Sequence, residues 1–138
     1  MAVFEDAAAV YDTLGRLFAE IGEDDELYAR FCTADTIVRY EYTDPDATIT
    51  VRLRCEEGPQ VDFGESDLEP EVTMRMSADT GHRYWLGGVN VTVALARGEI
   101  TASGPVAKIL KLVPLTKPVF PRYKQQLLDQ GRADLAQA

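Results

Sequence analysis

The chain has 138 residues and a mass of 15.3 kDa, the size of one domain. It is 46% hydrophobic and 27% charged, a globular composition, and at this size folding hides about 68–70% of the unfolded surface, enough for a core without a metal staple. A net charge of −9 and a pI near 4.5 make it a poor partner for phosphate backbones, so nucleic-acid binding is not expected.

Taken in chain order, Val3, Ala7, Val10, Leu14, Leu17 and Ile21 recur at steps of three and four. That is the stripe of one amphipathic helix, widened by Phe4 and Phe18 and closed by Gly22. The acidic run Glu23-Asp24-Asp25-Glu26 suits the positive end of a second helix, which carries Leu27, Tyr28 and Phe31 inward and ends near Thr33. The period then changes to two. Val38, Tyr40 and Tyr42 share one face and Arg39 and Glu41 the other; after Asp44-Pro45-Asp46, Ile49, Val51, Leu53 and Cys55 alternate with Thr50, Arg52 and Arg54. This is a β-hairpin with one wet face.

Val61 and Phe63 mark a short third strand after the Gly58-Pro59 turn, and Val72, Met74 and Met76 a fourth. Ser77 can cap a helix over 78–86, which Gly87-Gly88 stops. Val89 to Leu95 reads either way: Val89, Val91, Val93 and Leu95 alternate like a strand, while Val89, Val93 and Ala96 fit a helical turn. Ile100 and Ala102 mark a last strand. Gly104-Pro105 opens a helix with Val106, Ile109, Leu110 and Val113, which Pro114 ends. A final helix from about Pro118–Pro121 to Gly131 carries Phe120, Tyr123 and Leu127. The whole spells an α+β layer fold: a mostly antiparallel sheet with helices over one face, the other face left wet with Arg39, Glu41, Arg52, Arg54 and Arg75.

Cys32 and Cys55 have no zinc or redox spacing, and without a secretory signal they are expected to be reduced. The N-terminus lacks a basic segment before an apolar stretch, no apolar run reaches eighteen residues, and the last residues, Leu135-Ala136-Gln137-Ala138, form no peroxisomal tripeptide. The expected location is cytoplasmic. Charge is uneven. Residues 1–70 carry a net −13 and residues 71–138 a net +4, with all four lysines between 108 and 124.

No enzyme signature emerges. His82, the single histidine, has no neighbouring His or Cys in sequence and reads as an ordinary polar helix residue. The carboxylates cluster in solvated acidic runs rather than at apolar positions that would perturb them. Gly87-Gly88-Val89-Asn90 lacks the spacing of a phosphate loop, and Ser66, Ser77 and Ser103 sit in no nucleophile elbow. No catalytic residue, metal or cofactor is called for. What remains is apolar material on short, Gly- and Pro-interrupted helices. Met74, Met76, Trp85, Leu86 and Val93 belong to it, as do Ile109, Leu110, Val113, Phe120, Tyr123 and Leu127. They form either a closed core or the walls of a cavity, and methionines adapt to varied guests. The basic cluster Lys108, Lys111, Lys117, Arg122 and Lys124 is either a solvated face or a contact for anionic headgroups at a membrane surface.

From Glu71 onward the order of elements resembles the sterol carrier protein type 2 family. The pieces are Val72-Thr73-Met74-Arg75-Met76-Ser77, then Trp85-Leu86-Gly87-Gly88, then Ala94 before Arg97-Gly98-Glu99-Ile100, and Ser103-Gly104 before Ile109-Leu110-Lys111-Leu112. With the upstream hairpin and helix pair, the likeness spans roughly residues 3–128, and it rests on order and spacing rather than on one motif. It implies a five-stranded sheet, an apolar tunnel between sheet and helices, and a helix at 89–96. It also implies non-catalytic binding or transfer of a sterol, fatty acid or acyl lipid, with at most transient membrane contact. Pro105 stands where the family usually carries an acidic residue, and Pro114, Pro118 and Pro121 stiffen the segment at the tunnel mouth. Two other functions are open to this fold: a protein–protein module whose bulky residues, such as Tyr84, Trp85, Phe120 and Tyr123, fill the tunnel, and an enzyme or accessory subunit acting on a lipid-like substrate. A closed interior favours the module.

Overall fold

The computed structural model describes residues 3–136; Gln137 and Ala138, the last two residues of the C-terminal tripeptide considered above, lie outside them. The first helix changes pitch along its length. It comprises α1 (Ala7–Val10), a π-helical turn (Tyr11–Gly15) and α2 (Arg16–Glu23). Asp6 caps α1 by accepting from the Ala9 N–H at 2.9 Å. Thr13 then returns its hydroxyl to the Ala9 carbonyl at 2.8 Å, competing for an acceptor that the regular helical ladder needs. The stripe survives the change of pitch, and Val10, Leu14, Leu17, Phe18 and Ile21 are all buried. Asp24 starts α3 (Asp25–Phe31) by accepting from the Leu27 N–H at 3.0 Å. That bond, with the Arg122 guanidinium beside it, holds the Asp24 carboxyl below its ordinary range.

Five strands form one mixed sheet in the order β3-β2-β1-β4-β5: β1 (Thr36–Thr43), β2 (Ala47–Leu53), β3 (Gln60–Phe63), β4 (Val72–Ser77) and β5 (Ile100–Ser103). Every pairing is antiparallel except β1 with β4. The register aligns Tyr40 with Ile49 and Met74, and Tyr42 with Met76, so the period-two apolar residues converge on one face. Helices cover that face. They are α4 (Ala78–Trp85), α5 (Val91–Arg97), α6 (Val106–Thr116), α7 (Phe120–Asp129) and α8 (Ala133–Ala136), together with the N-terminal set. Residues 91–97 are therefore helical. Asn90 accepts from the Val93 N–H, and Gly98, in the left-handed region, ends the helix.

The opposite face is less open than its charges imply. Arg75 is exposed and pairs with Glu41, but Arg39, Glu41, Arg52 and Arg54 are half-buried. Arg39 reaches the Leu68 carbonyl at 3.2 Å, so the connection after β3 crosses this face. Gly104 permits the close approach of β5's end to β4. It has φ +112°, and a Cβ there would lie 2.2 Å from the Glu71 carbonyl oxygen.

Two further expectations are corrected. Pro114 does not end its helix: α6 continues to Thr116, because Pro114 is exposed and the Leu110 carbonyl it leaves without a helical donor belongs to an exposed residue. Nor are the cysteines free. Cys32, in the short 3₁₀ turn Cys32–Ala34, is disulfide-bonded to Cys55 just past β2, with a Cα–Cα distance of 4.9 Å. The hairpin register explains the meeting, since Thr36 opposes Leu53 and brings the residues flanking both strand ends together.

Candidate functional site

Between the sheet and α4, α5 and α6 lies an enclosed apolar cavity. Its floor is Tyr40 and Tyr42 of β1, Met74 and Met76 of β4, and Ile100 of β5. Tyr84 and Trp85 of α4 and Val91 of α5 form one wall; Ile109, Leu112, Val113 and Thr116 of α6 form the other. No lining side chain is charged. The cavity volume is about 30 Å³. That admits about two water molecules, against the 300–1,000 Å³ of ordinary ligand pockets. In this conformation the interior is closed.

What closes it is aromatic packing and one hydrogen bond. Phe18 stacks on Tyr40 with centroids 4.9 Å apart and meets Trp85 edge-on at 5.5 Å. Trp85 also meets Tyr84 and Phe120 edge-on. Thr116 donates its hydroxyl to the Val113 carbonyl at 2.7 Å, so the Tyr84 hydroxyl must be the donor in its hydrogen bond to Thr116 Oγ1. This bond pins α4 to α6 across the cavity. Outside it runs an open groove that shares Tyr84, Val91, Ile109, Val113 and Thr116 with the cavity. The two spaces are thus one side chain apart. The groove adds Leu95 and Leu110, both exposed, together with Pro114, Lys117 and Phe120.

The residues singled out from sequence separate into those at the cavity, those at the groove and those that line neither. Met74, Met76, Trp85, Ile109 and Val113 meet at the cavity. Leu110, 65% exposed, and Phe120 line the groove instead, joined there by Ile109 and Val113. Val93 is 43% exposed on α5 and Leu86 half-buried after α4, and neither lines cavity or groove. Tyr123 and Leu127 are fully buried elsewhere, under α7. Tyr123 there donates to His82 Nδ1 at 2.8 Å, the role left to it because His82 Nε2 faces the Leu135 carbonyl at 3.0 Å. His82 is thus a buried, satisfied core residue rather than a surface polar one. Burial pushes its imidazole below the ordinary value. Tyr40, Tyr42, Val91, Ile100, Leu112 and Thr116 complete the cavity without having been singled out for it, and Tyr84, named as a residue that could fill the tunnel, joins them; the signal for the first two was their shared face with Val38.

The basic residues divide likewise. Lys108 is tied down, donating to the Asp35 carbonyl at 2.7 Å with Asp35 and Glu71 carboxylates within 4 Å. Arg122 pairs with Asp24 at 2.6 Å. Lys111, Lys117 and Lys124 are exposed, and only Lys117 lines the groove. Among the described residues no helix is long and apolar enough to cross a membrane.

Among solved structures the fold is similar to that of sterol carrier protein domain 2 of Helicoverpa armigera, at 19% identity and TM-score 0.64, over 82% of this chain and 89% of that one. It is also similar to apo sterol carrier protein 2 from Yarrowia lipolytica, at 13% identity and TM-score 0.62, over 82% and 91%. Sterol carrier protein 2 from Aedes aegypti in complex with palmitate matches at 17% identity and TM-score 0.50, over 69% and 94%. No family model and no curated protein matches the sequence. The domain has a sterol-carrier-protein-2-like α+β fold.

Proposed function

We propose that this protein binds and carries an apolar lipid, without catalysis, in an expanded form of the cavity under α4, α5 and α6. The observation that carries the reading is the uncharged cavity standing one side chain from an open apolar groove. Breaking the Tyr84–Thr116 hydrogen bond and swinging α6 outward joins the two spaces. A net hydrogen bond is worth about 0.5–1.5 kcal/mol. Each lipid methylene moved out of water returns about 0.8 kcal/mol, so a few suffice to offset the opening. Met74 and Met76 on the floor can repack around chains of different shape. Palmitate bound by the Aedes aegypti protein of the same fold supports an acyl chain as the apolar part of the ligand. Exposed Leu95, Leu110 and Lys117 at the groove give the mouth an apolar and cationic rim suited to brief contact with a lipid surface.

A second reading is favoured by the small cavity. Tyr40, Tyr84 and Trp85 are among the side chains that line a space of only about 30 Å³, as expected of a protein-interaction module with a self-filled interior. Titration with medium-chain lipids separates the two, because Trp85, the sole tryptophan, lines the cavity. The carrier reading expects a saturable, one-to-one change in its emission. A flat emission, with a clean apo mass by native mass spectrometry, would leave the module.

A further inference from the structure

We propose that the cavity selects an uncharged lipid carrying one hydrogen-bond-accepting oxygen, a ketone, ester or alcohol, and that Tyr42 is the donor which holds it. This deepens the carrier reading and rests on it. Tyr42 is 3% exposed and its hydroxyl is buried with no hydrogen-bond partner. A buried polar group left unpaired is costly and calls for a partner. Tyr42 is also one of the residues that line the cavity. The Tyr84 hydroxyl, by contrast, already has a partner in Thr116.

The packing around Tyr42 fixes its position. Its ring lies against Gly81 of α4, where a Cβ would sit 2.6 Å from the Tyr42 Cε1. Tyr40 lies beside it, nearly parallel, with ring centroids 6.2 Å apart. The phenol is therefore held before any ligand arrives, so a hydrogen bond to it costs little ordering. Burial raises the Tyr40 and Tyr42 hydroxyls above their ordinary range, which keeps both protonated as donors.

The same walls argue against a carboxylate or phosphate at this end. No lysine, arginine or histidine lines the cavity, so an anionic headgroup would be buried without a counter-charge. A neutral carbonyl or hydroxyl oxygen meets a donor and brings no charge.

The test compares 2-undecanone, undecane and decanoate by Trp85 emission, in the wild type and in Tyr42→Phe. In the wild type, 2-undecanone is expected to bind about tenfold more tightly than undecane and more tightly than decanoate. Tyr42→Phe is expected to remove that tenfold advantage while leaving undecane unchanged. Its thermal midpoint should not fall, since the substitution deletes only an unpaired hydroxyl. A ketone preference that survives Tyr42→Phe, equal binding of all three probes, or tightest binding of decanoate would overturn the assignment while leaving the carrier reading intact. Binding of none of the three would instead overturn the carrier reading, and the assignment with it.

Discussion

Trp85→Ala is expected to lower the free energy of unfolding by about 3–5 kcal/mol, the range for deleting a large buried aromatic. Trp85 is 2% exposed and joins separate parts of the helical layer: Phe18 of α2, Tyr84 of α4 and Phe120 of α7 all meet its ring edge-on. Such pairs add about 0.5–1.5 kcal/mol each beyond area burial. Truncation removes all three at once, and neighbours held by the sheet can collapse only partly into the space. Urea unfolding followed by far-UV circular dichroism is the suitable measurement, since the variant lacks the fluorophore. A loss below about 1 kcal/mol would mean that the aromatic cluster rearranges freely and is not a fixed wall.

Breaking the Cys32–Cys55 disulfide is expected to cost about 3 kcal/mol. The bridge closes a loop with a sequence separation of 23 residues, and in the chain-entropy treatment a loop of that size restricts the unfolded state by this amount. The bridge has local support: the Tyr28 hydroxyl of α3 donates to the Arg54 carbonyl at 2.9 Å and accepts from the Arg54 N–H at 3.1 Å. Residues beside Cys55 therefore stay docked on α3, and the cut chain still folds. The wild type with and without reductant, and Cys55→Ser, are to be compared by guanidinium unfolding. Reduction should move the wild type to the stability of the variant and leave the variant unchanged. Equal stability of oxidised and reduced wild type would contradict the bridge.

Much of the fold was legible because local pattern and tertiary burial agree. The Val10, Leu14, Leu17 and Ile21 stripe and the alternation at Ile49, Val51 and Leu53 each bury one face, and each appears where its period places it. Residues 89–96 read either way because Val89 and Val93 fit both periods; the Asn90 cap and the left-handed Gly98, both local signals, make 91–97 the helix. The disulfide was not legible, since pairing depends on a hairpin register that brings residues 32 and 55 together only after β1 and β2 zip. Pro114 misled for a related reason: a proline in the last turn loses one exposed hydrogen bond and need not stop the helix.

The site was half legible. Met74 and Met76 lie on the cavity floor because their strand alternates, and Trp85 lies on its wall. Leu110 and Val93, apolar and on the right helices, face outward, because an isolated helix turn does not say which of two apolar neighbours meets the sheet. Lys108 and Arg122 looked like free cations in a basic stretch, yet both are paired with acidic residues from the first half of the chain. The uneven charge along the sequence is thus partly neutralised within the fold.

On the carrier reading a lipid enters from the groove past α6 and comes to rest between the helices and the sheet, against Met74 and Met76. The most direct measurement is NMR on protein carrying ¹³C-methyl methionine, of which the chain has three. At saturating 2-undecanone, undecane or decanoate, whichever binds tightest, the Met74 and Met76 methyls are expected to shift and to show intermolecular contacts with the acyl chain. Binding with both methyls unmoved, or contacts confined to the outer groove at Leu95 and Leu110, would contradict the account.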